Sequence, residues 1–303
     1  MSREDHRLLG ELIGGRFGIS FPPHKRRALE SKLRPRLEAL GLPGYREYYR
    51  LLRSSGAAAS GMPARSGGRG ESEWEHLAEQ VTNNETFFFR ETQQFTALFE
   101  EGLDTLKPAT ALPGVLRLLC AGCSSGEEPY TLSIFASQSF VRLAGTMVAI
   151  DAFDLDASRV EMARRAEYGP GALRIATAEQ VERYFLPLPE GRWALRSSFR
   201  AGVRFSRGNL LDLETFRGSL AYDAVFCRNV LIYFSEEAIR RAVENFATVL
   251  RPGGLLFLGA SESIIGLSEC FEAVRFTGTL GYRRVGRRGG PRLAIRPRPG
   301  VER

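Results

Sequence analysis

Leu29, Leu33, Leu37 and Leu40 recur at three- and four-residue intervals through "HKRRALESKLRPRLEALG", with basic residues between them. That repeat predicts an amphipathic helix with one buried face. Pro35 falls inside it and, lacking an N–H, predicts a kink or a split there. "LGLPGY" reads as a turn, "YREYYRLLR" (45–53) as a second helix and "EWEHLAEQV" (73–81) as a third. The intervening "SSGAAASGMPARSGGRGES" (54–72) has no period and is rich in Gly, Ser and Ala, so it predicts a flexible insertion.

From residue 115 the pattern changes. "VLRLLCAG" (115–122) is almost continuously apolar, as a strand covered on both faces is. "EEPYTLSIFASQSF" (127–140) predicts a helix, "MVAIDAFDLD" (147–156) a strand ending in carboxylates, and "ASRVEMARRAEYG" (157–169) a helix. "VRFSRGNLLD" (203–212) and "AYDAVFCRNVLIYF" (221–234) predict a third and a fourth strand. "SEEAIRRAVENFATVL" (235–250) is a helix opened by a capping Ser235 and an acidic first turn. "RPGGLLFLGASES" (251–263) turns into a fifth strand, and "CFEAVRFTGTLGYRRV" (270–285) predicts an antiparallel pair at the sheet edge. Alternating strands and helices specify an α/β fold with a mostly parallel sheet. The expected organisation is a small all-helical domain over 1–81, an α/β domain over 82–285, and a basic disordered tail over 286–303.

Charge divides the chain the same way. Residues 24–53 hold nine Lys/Arg against three Glu, residues 283–303 eight Arg against one Glu, and the middle is acidic. Such basic patches attract nucleic acid, anionic lipid or an acidic protein surface, and charge alone does not choose among them. No apolar run approaches the ~20 residues of a membrane span. "MSREDHRLLGELIGG" carries acidic residues and no apolar h-region, so it does not read as a signal peptide, and a cytoplasmic location is the expectation. Four cysteines are too few for a disulfide framework. Cys120 and Cys123 have CxxC spacing, but no second pair or nearby His completes a metal site, and small thiols filling a strand end are the expectation.

The chemistry-bearing residues fall at strand ends, where open α/β sheets bind their ligands. "CAGCSSGEEPY" follows the first strand, with Gly122 and Gly126 for a tight turn. It has neither GxGxxG spacing nor a P-loop lysine, and Glu127 and Glu128 would repel phosphate. Carboxylates there suit a helix N-terminus or a cationic ligand equally. Asp154 ends the second strand, where a carboxylate can accept both ribose hydroxyls, while Asp156 reads as the cap of the next helix. Asn209 and Asn229 end the third and fourth strands, as turn formers or as ligand contacts. Upstream, "TNNETFFFRE" (82–91) sets three phenylalanines among hydrogen-bonding side chains, as a linker that also lines a pocket would.

A ligand with a ribose, a positive charge and no phosphate suggests S-adenosylmethionine, and the order of motifs resembles a class I methyltransferase. More narrowly, "TNNETFFFRE", "GCSSGEEPYTL", "FDLD", "FCRNVLIYF" and "LRPGGLLFLGASES" together resemble the chemotaxis receptor glutamate O-methyltransferases of the CheR type, over roughly residues 10–285. The resemblance implies a linker folded over the cofactor, with Asn84, Thr86 and Arg90 in the site. It implies Glu127 and Glu128 near the methionyl end, Asp154 on the ribose, Asn209 and Leu210 at the adenine, and Cys227, Arg228 and Asn229 beneath the sulfonium. Arg90 and Tyr233 are the implied catalytic residues, steering and orienting the acceptor carboxylate; no metal is implied. Lys32, Arg34 and Arg36 on the basic helix are the implied substrate-binding residues, facing the acidic helical bundle of a chemoreceptor. The product would be S-adenosylhomocysteine. The resemblance also implies a monomer that takes no nucleic acid and does not insert into a membrane. Some relatives tether to a receptor peptide through a small β-subdomain before the third strand; "YFLPLPEGRWALRSSFRAGVRFSRGN" is short there and implies a member without that need. Two alternatives stand beside this reading: a nucleic-acid methyltransferase of the same fold, suggested by the pI near 9.5 and the Arg-rich tail, and a non-catalytic cofactor-binding module.

Overall fold

The computed structural model describes residues 1–56, 69–106, 114–143, 145–216 and 222–286. Four helices come first: α1 (Arg3–Phe17), α2 (Arg26–Leu40), α3 (Tyr45–Gly56) and α4 (Arg69–Val81). Sequence reading passed over α1, although His6, Leu9, Ile13 and Phe17 mark its buried stripe. Ser2 caps it by accepting from Asp5 N–H, and Gly18 ends it with a left-handed φ of 79°. Pro35 neither splits nor ends α2, which runs from Arg26 to Leu40 as one helix. Pro35 and Ser31, whose carbonyl loses its usual donor, are both solvent-exposed, so water can fill the missing bond. The predicted insertion is also shorter than expected, because 54–56 close α3 and 69–72 open α4. Its centre, 57–68, lies outside the described residues, as do residues 287–303 of the predicted tail.

Leu9, Ile13, Leu29, Leu33, Tyr48, Leu52 and Leu77 are fully buried between the four helices. Glu73 ties three of them together: Arg36 of α2 grips its carboxylate with Nε at 3.0 Å and Nη2 at 2.5 Å, and Tyr48 of α3 donates to it at 2.7 Å.

After the linker come α5 (Gln93–Ala97), a π-helical turn (Leu98–Gly102) and α6 (Leu103–Leu106). The α/β part follows with β1 (Val115–Ala121), α7 (Glu127–Gln138), α8 (Phe140–Leu143), β2 (Met147–Asp154), α9 (Ala157–Arg165), β3 (Glu167–Tyr168), α10 (Ala178–Tyr184), β4 (Phe185–Leu188) and β5 (Arg192–Leu195). It continues with β6 (Val203–Arg207), β7 (Tyr222–Cys227), α11 (Glu236–Val249), β8 (Leu250–Leu258), β9 (Phe271–Phe276) and β10 (Thr279–Arg284). Seven strands form one sheet in the order β6-β2-β1-β7-β8-β10-β9, parallel from β6 to β8 with an antiparallel edge of β10 and β9. This is the mostly parallel α/β sheet that the strand grammar specifies, and the class I methyltransferase fold that the resemblance implies. Alternation along the central strands divides the core. Leu119, Ala121, Val225, Cys227, Leu256 and Leu258 pack on the α11 face, while Leu118, Cys120, Ala224, Phe226, Leu255 and Phe257 pack on the α5–α7 face.

Within the segment read as short, β4 and β5 pair with β3 in a second, three-stranded antiparallel sheet, β3-β5-β4; β3 takes the end of the stretch 157–169 predicted to be helix, since α9 stops at Arg165. The sheet's strands of two to four residues are too brief to show a period. Phe88, Tyr168, Tyr184, Phe185 and Leu195 form its core, so the linker supplies part of it. Among the described residues no helix is long and apolar enough to cross a membrane.

Candidate active site

The carboxyl ends of β1, β2, β6 and β7 open into a cavity that communicates with solvent. The linker forms one wall with Thr82–Phe87 and Arg90, and the helical part adds Phe17, Ile19 and Val81. The opposite wall comes from Gly122–Ser124, Phe153–Leu155, Gly208–Leu210 and Arg228–Val230, with Tyr233 and Phe234 beyond them.

Asp154 anchors the floor. Ser124 N–H donates to Oδ2 at 2.7 Å and Asp156 N–H to Oδ1 at 2.9 Å, which knits the β1 and β2 ends together. The carboxyl is 6% exposed, and burial pushes its pKa up to about 6 against these two donors. Gly122 leaves space beside it: its φ is 82°, and a Cβ there would stand 2.6 Å from Val230 Cγ2. Asp156 caps α9 as predicted, accepting from Ser158 and Arg159 N–H, and its other oxygen takes Asn84 Nδ2–H at 2.8 Å. The linker is thereby tied to the end of β2.

The three phenylalanines of the linker have separate tasks. Phe88 is fully buried, edge-on to Tyr168 at 4.8 Å and Phe185 at 4.9 Å, and its N–H donates to Ala172 O at 2.9 Å. Phe89 donates to Thr131 Oγ1 at 3.1 Å. Phe87 lines the cavity, and its ring meets the guanidinium of Arg174, 3.7 Å from the centroid, and that of Arg90, 5.5 Å away. Phe89 (φ 63°) and Glu91 (φ 49°) occupy the left-handed region, conformations that these anchors must hold in place. Arg90 Nη1–H donates to Glu85 O at 3.1 Å.

At the end of β7, Arg228 is almost wholly buried. It donates to Glu128 Oε2 at 3.2 Å and to the carbonyls of Arg90 at 2.7 Å and Glu91 at 3.2 Å, and it lies over Phe95 at 4.7 Å. Arg228 lines the cavity, and its buried Nε–H has no hydrogen-bond partner. Burial raises the Glu128 pKa, with Arg228 opposing. Tyr233 is held from both sides: its carbonyl accepts from Ser20 N–H at 2.7 Å, and its hydroxyl accepts from Asn83 Nδ2–H.

The fold therefore brings Asn84, Thr86, Arg90, Glu128, Asp154, Asn209, Leu210, Arg228, Asn229 and Tyr233 around one cavity. Asn209 also donates from Nδ2 to Arg16 O at 2.8 Å, clamping the end of α1 to the α/β part. Glu127 and Cys227 are not among the lining residues. Glu127 is 3% exposed and accepts from Ser125 Oγ–H at 2.9 and 3.1 Å, and burial pushes its pKa up to about 7. Cys227 is fully buried in the sheet core. All four cysteines are buried thiols, and burial holds Cys120, Cys123 and Cys227 well above the usual thiol range.

On α2, Lys32 Nζ donates to Gln80 O at 3.1 Å and Thr82 O at 3.0 Å, capping α4 where the linker begins, and burial lowers its pKa. Arg36 is spent on Glu73, so of the three basic residues only Arg34 is displayed, 3.8 Å from Glu30. Sequence reading missed Phe17 and Ile19, whose contribution to the wall is a tertiary fact. It also missed Glu91, whose carboxylate accepts from Ala260 N–H at 3.2 Å.

Two family models match the chain: "CheR methyltransferase, SAM binding domain" over residues 84–279, and "CheR methyltransferase, all-alpha domain" over residues 4–62. The chain is 34% identical over 266 residues to "Chemotaxis protein methyltransferase 2" of Vibrio cholerae, covering 88% of this chain and 87% of that one. It is 38% identical to "Chemotaxis protein methyltransferase 1" of Pseudomonas aeruginosa, covering 69% and 77%. With the "Chemotaxis protein methyltransferase" of Salmonella typhimurium it shares 32% identity over 90% of this chain and 88% of that one.

Proposed function

Because the chain belongs to the CheR methyltransferase family and is an S-adenosylmethionine-dependent methyltransferase of chemotaxis, we propose that its acceptor is the γ-carboxylate of glutamates on the cytoplasmic helical bundle of a chemoreceptor. The products are glutamate methyl esters and S-adenosylhomocysteine. One observation carries this reading: the linker guanidinium of Arg90 and the hydroxyl-bearing Tyr233 line the same cavity as Asp154 and the strand-end asparagines.

The residues present fit the cofactor. The buried carboxylate of Asp154 keeps a free lone pair on each oxygen for vicinal hydroxyls. On this reading Asp154 holds the ribose, Asn209 and Leu210 flank the adenine, and Asn84, Thr86, Glu128, Arg228 and Asn229 surround the methionyl end. Glu127 and Cys227 act behind that wall, not on the ligand. When bound, the cofactor supplies an electrophilic methyl on a sulfonium.

The three histidines, His6, His24 and His76, lie on the helical part and away from the cavity. A glutamate acceptor needs no base, since a carboxyl of pKa about 4.3 is already ionised at neutral pH. The work left to the protein is alignment and desolvation of the carboxylate. Arg90 draws the carboxylate in and Tyr233 sets its angle. Arg34, exposed on the outer face of α2 with Arg27 two turns before it, supplies charge complementary to an acidic receptor helix.

Calorimetric titration with S-adenosylhomocysteine on wild type and Asp154→Ala tests the site, with binding expected only in the wild type. Labelled-methyl transfer to a receptor cytoplasmic fragment tests the acceptor. An ester label is released as methanol by mild alkali, and a label that resists alkali would sink the glutamate assignment.

A further inference from the structure

The segment Gly259-Ala260-Ser261-Glu262 follows β8 outside the cavity, yet its last side chain reaches back to the corner that carries the site. Glu262 Oε2 accepts from Asn229 N–H at 2.8 Å and from Gly259 N–H at 2.7 Å, while Oε1 accepts from Ile232 N–H at 3.2 Å. One carboxylate thus gathers three backbone amides, from the loop after β7, the turn Leu231–Tyr233 and the end of β8. Asn229 needs such a hold, because its φ is 59°. Gly259 permits the approach: a Cβ there would lie 2.8 Å from Asn229 N and 2.8 Å from Glu262 Oε2. Glycine and glutamate at these two positions are therefore one device.

We propose that Glu262 is a positioning residue for the methyl transfer, fixing the 228–233 corner so that Tyr233 meets the acceptor carboxylate at the required angle. The inference deepens the glutamate-methylation reading and rests on it. The two oxygens have separable duties. Glu262→Gln can keep an oxygen toward Asn229 and Gly259 while turning its NH₂ against Ile232 N–H, so it loosens the tyrosine turn alone. Glu262→Ala frees all three amides.

The test uses the full chain in a double-mutant cycle with Tyr233→Phe. It reads kcat on a receptor fragment, affinity for S-adenosylhomocysteine, thermal midpoint, and amide exchange of residues 228–234 by mass spectrometry. Glu262→Gln should lower kcat about tenfold and leave cofactor affinity within about threefold. In the Tyr233→Phe background the same change should cost less than about threefold, because the group it positions is gone. Glu262→Ala should accelerate exchange across 228–234 and weaken cofactor binding as well, through Asn229. Equal losses in the two backgrounds, an unchanged kcat in Glu262→Gln, or unchanged exchange in Glu262→Ala would overturn the proposal. A wild type that binds the cofactor but methylates no receptor fragment refutes the acceptor reading instead, and the exchange measurement then still decides whether Glu262 holds the corner. Where Glu262→Ala fails to fold, the isosteric Glu262→Gln carries the cycle.

Discussion

Glu127 offers a sharp test of the local electrostatics. Its carboxylate is buried at the N-terminus of α7, and its side-chain partner is the hydroxyl of Ser125. Burial is the leading cause of its raised pKa; its own N–H, Ser125, and the more distant Arg159 and Arg174 oppose it without cancelling it. A displacement from 4.5 to about 7, at about 1.4 kcal/mol per tenfold, means that the ionised form costs the fold about 3 kcal/mol. The sign follows from proton counting. Between pH 4.5 and about 7 the folded chain binds more protons at this site than the unfolded chain does. Stability therefore falls as pH rises through that window, and the full cost is present above about 7.

Glu127→Gln removes the charge, keeps the shape and retains an oxygen for Ser125. Urea unfolding of both proteins should show the variant more stable by about 3 kcal/mol at pH 8.5, with the gain shrinking to under about 1 kcal/mol at pH 5. Subtracting wild type from variant removes every other titrating group. The affinity for S-adenosylhomocysteine should stay within about threefold, because the side chain faces away from the cavity. A gain of the same size at both pH values, or a loss at pH 8.5, would refute the reasoning. Glu128→Gln, one residue on, should do the opposite. It removes the closer of the two carboxylates beside the buried Arg228 and leaves Glu91, 3.5 Å away, to compensate that guanidinium, which costs about 1–3 kcal/mol.

Protonation of Asp154 should weaken cofactor binding as pH falls through about 6, with little change above 7; calorimetry across pH 5–8 checks this, and Asp154→Asn should flatten the profile. Gly122→Ala should cost about 2 kcal/mol or more in thermal unfolding and lower cofactor affinity, because its Cβ meets Val230 and its φ is positive. Arg34→Ala should raise the KM for a receptor fragment about fivefold at low salt and leave the thermal midpoint in place. Lys32→Ala should instead lower the midpoint by uncapping α4, and equal behaviour of these two variants would contradict their separate placements.

What the sequence discloses tracks the range of the forces involved. The parallel sheet was legible because each central strand is a long apolar run and each helix carries its own period, both local signals. The cavity was legible in outline because strand-end residues are placed by the strands themselves, as with Asp154 at the end of β2 and Asn229 after β7. Where the reading failed, a distant partner decides. Lys32 and Arg36 look like displayed charge on a basic helix, yet one caps α4 and the other is claimed by Glu73, 37 positions on. Glu127 and Glu128 are adjacent in one motif, and the helix turns them to different partners: Glu127 to the hydroxyl of Ser125, and Glu128 to Arg228, which opposes the upward push of burial on its pKa. The β3-β5-β4 sheet was read only as a short segment, because its strands of two to four residues carry no period and its core is completed by Phe88, a linker residue 79 positions before the first of them. The same borrowing explains the dense polar setting of the three phenylalanines. A linker that crosses between two domains while forming a wall of the site has its backbone amides claimed from several directions, by Ala172 and Thr131 among others. Its left-handed residues stay in place only while those partners do, so the linker's rigidity is a property of the assembled fold.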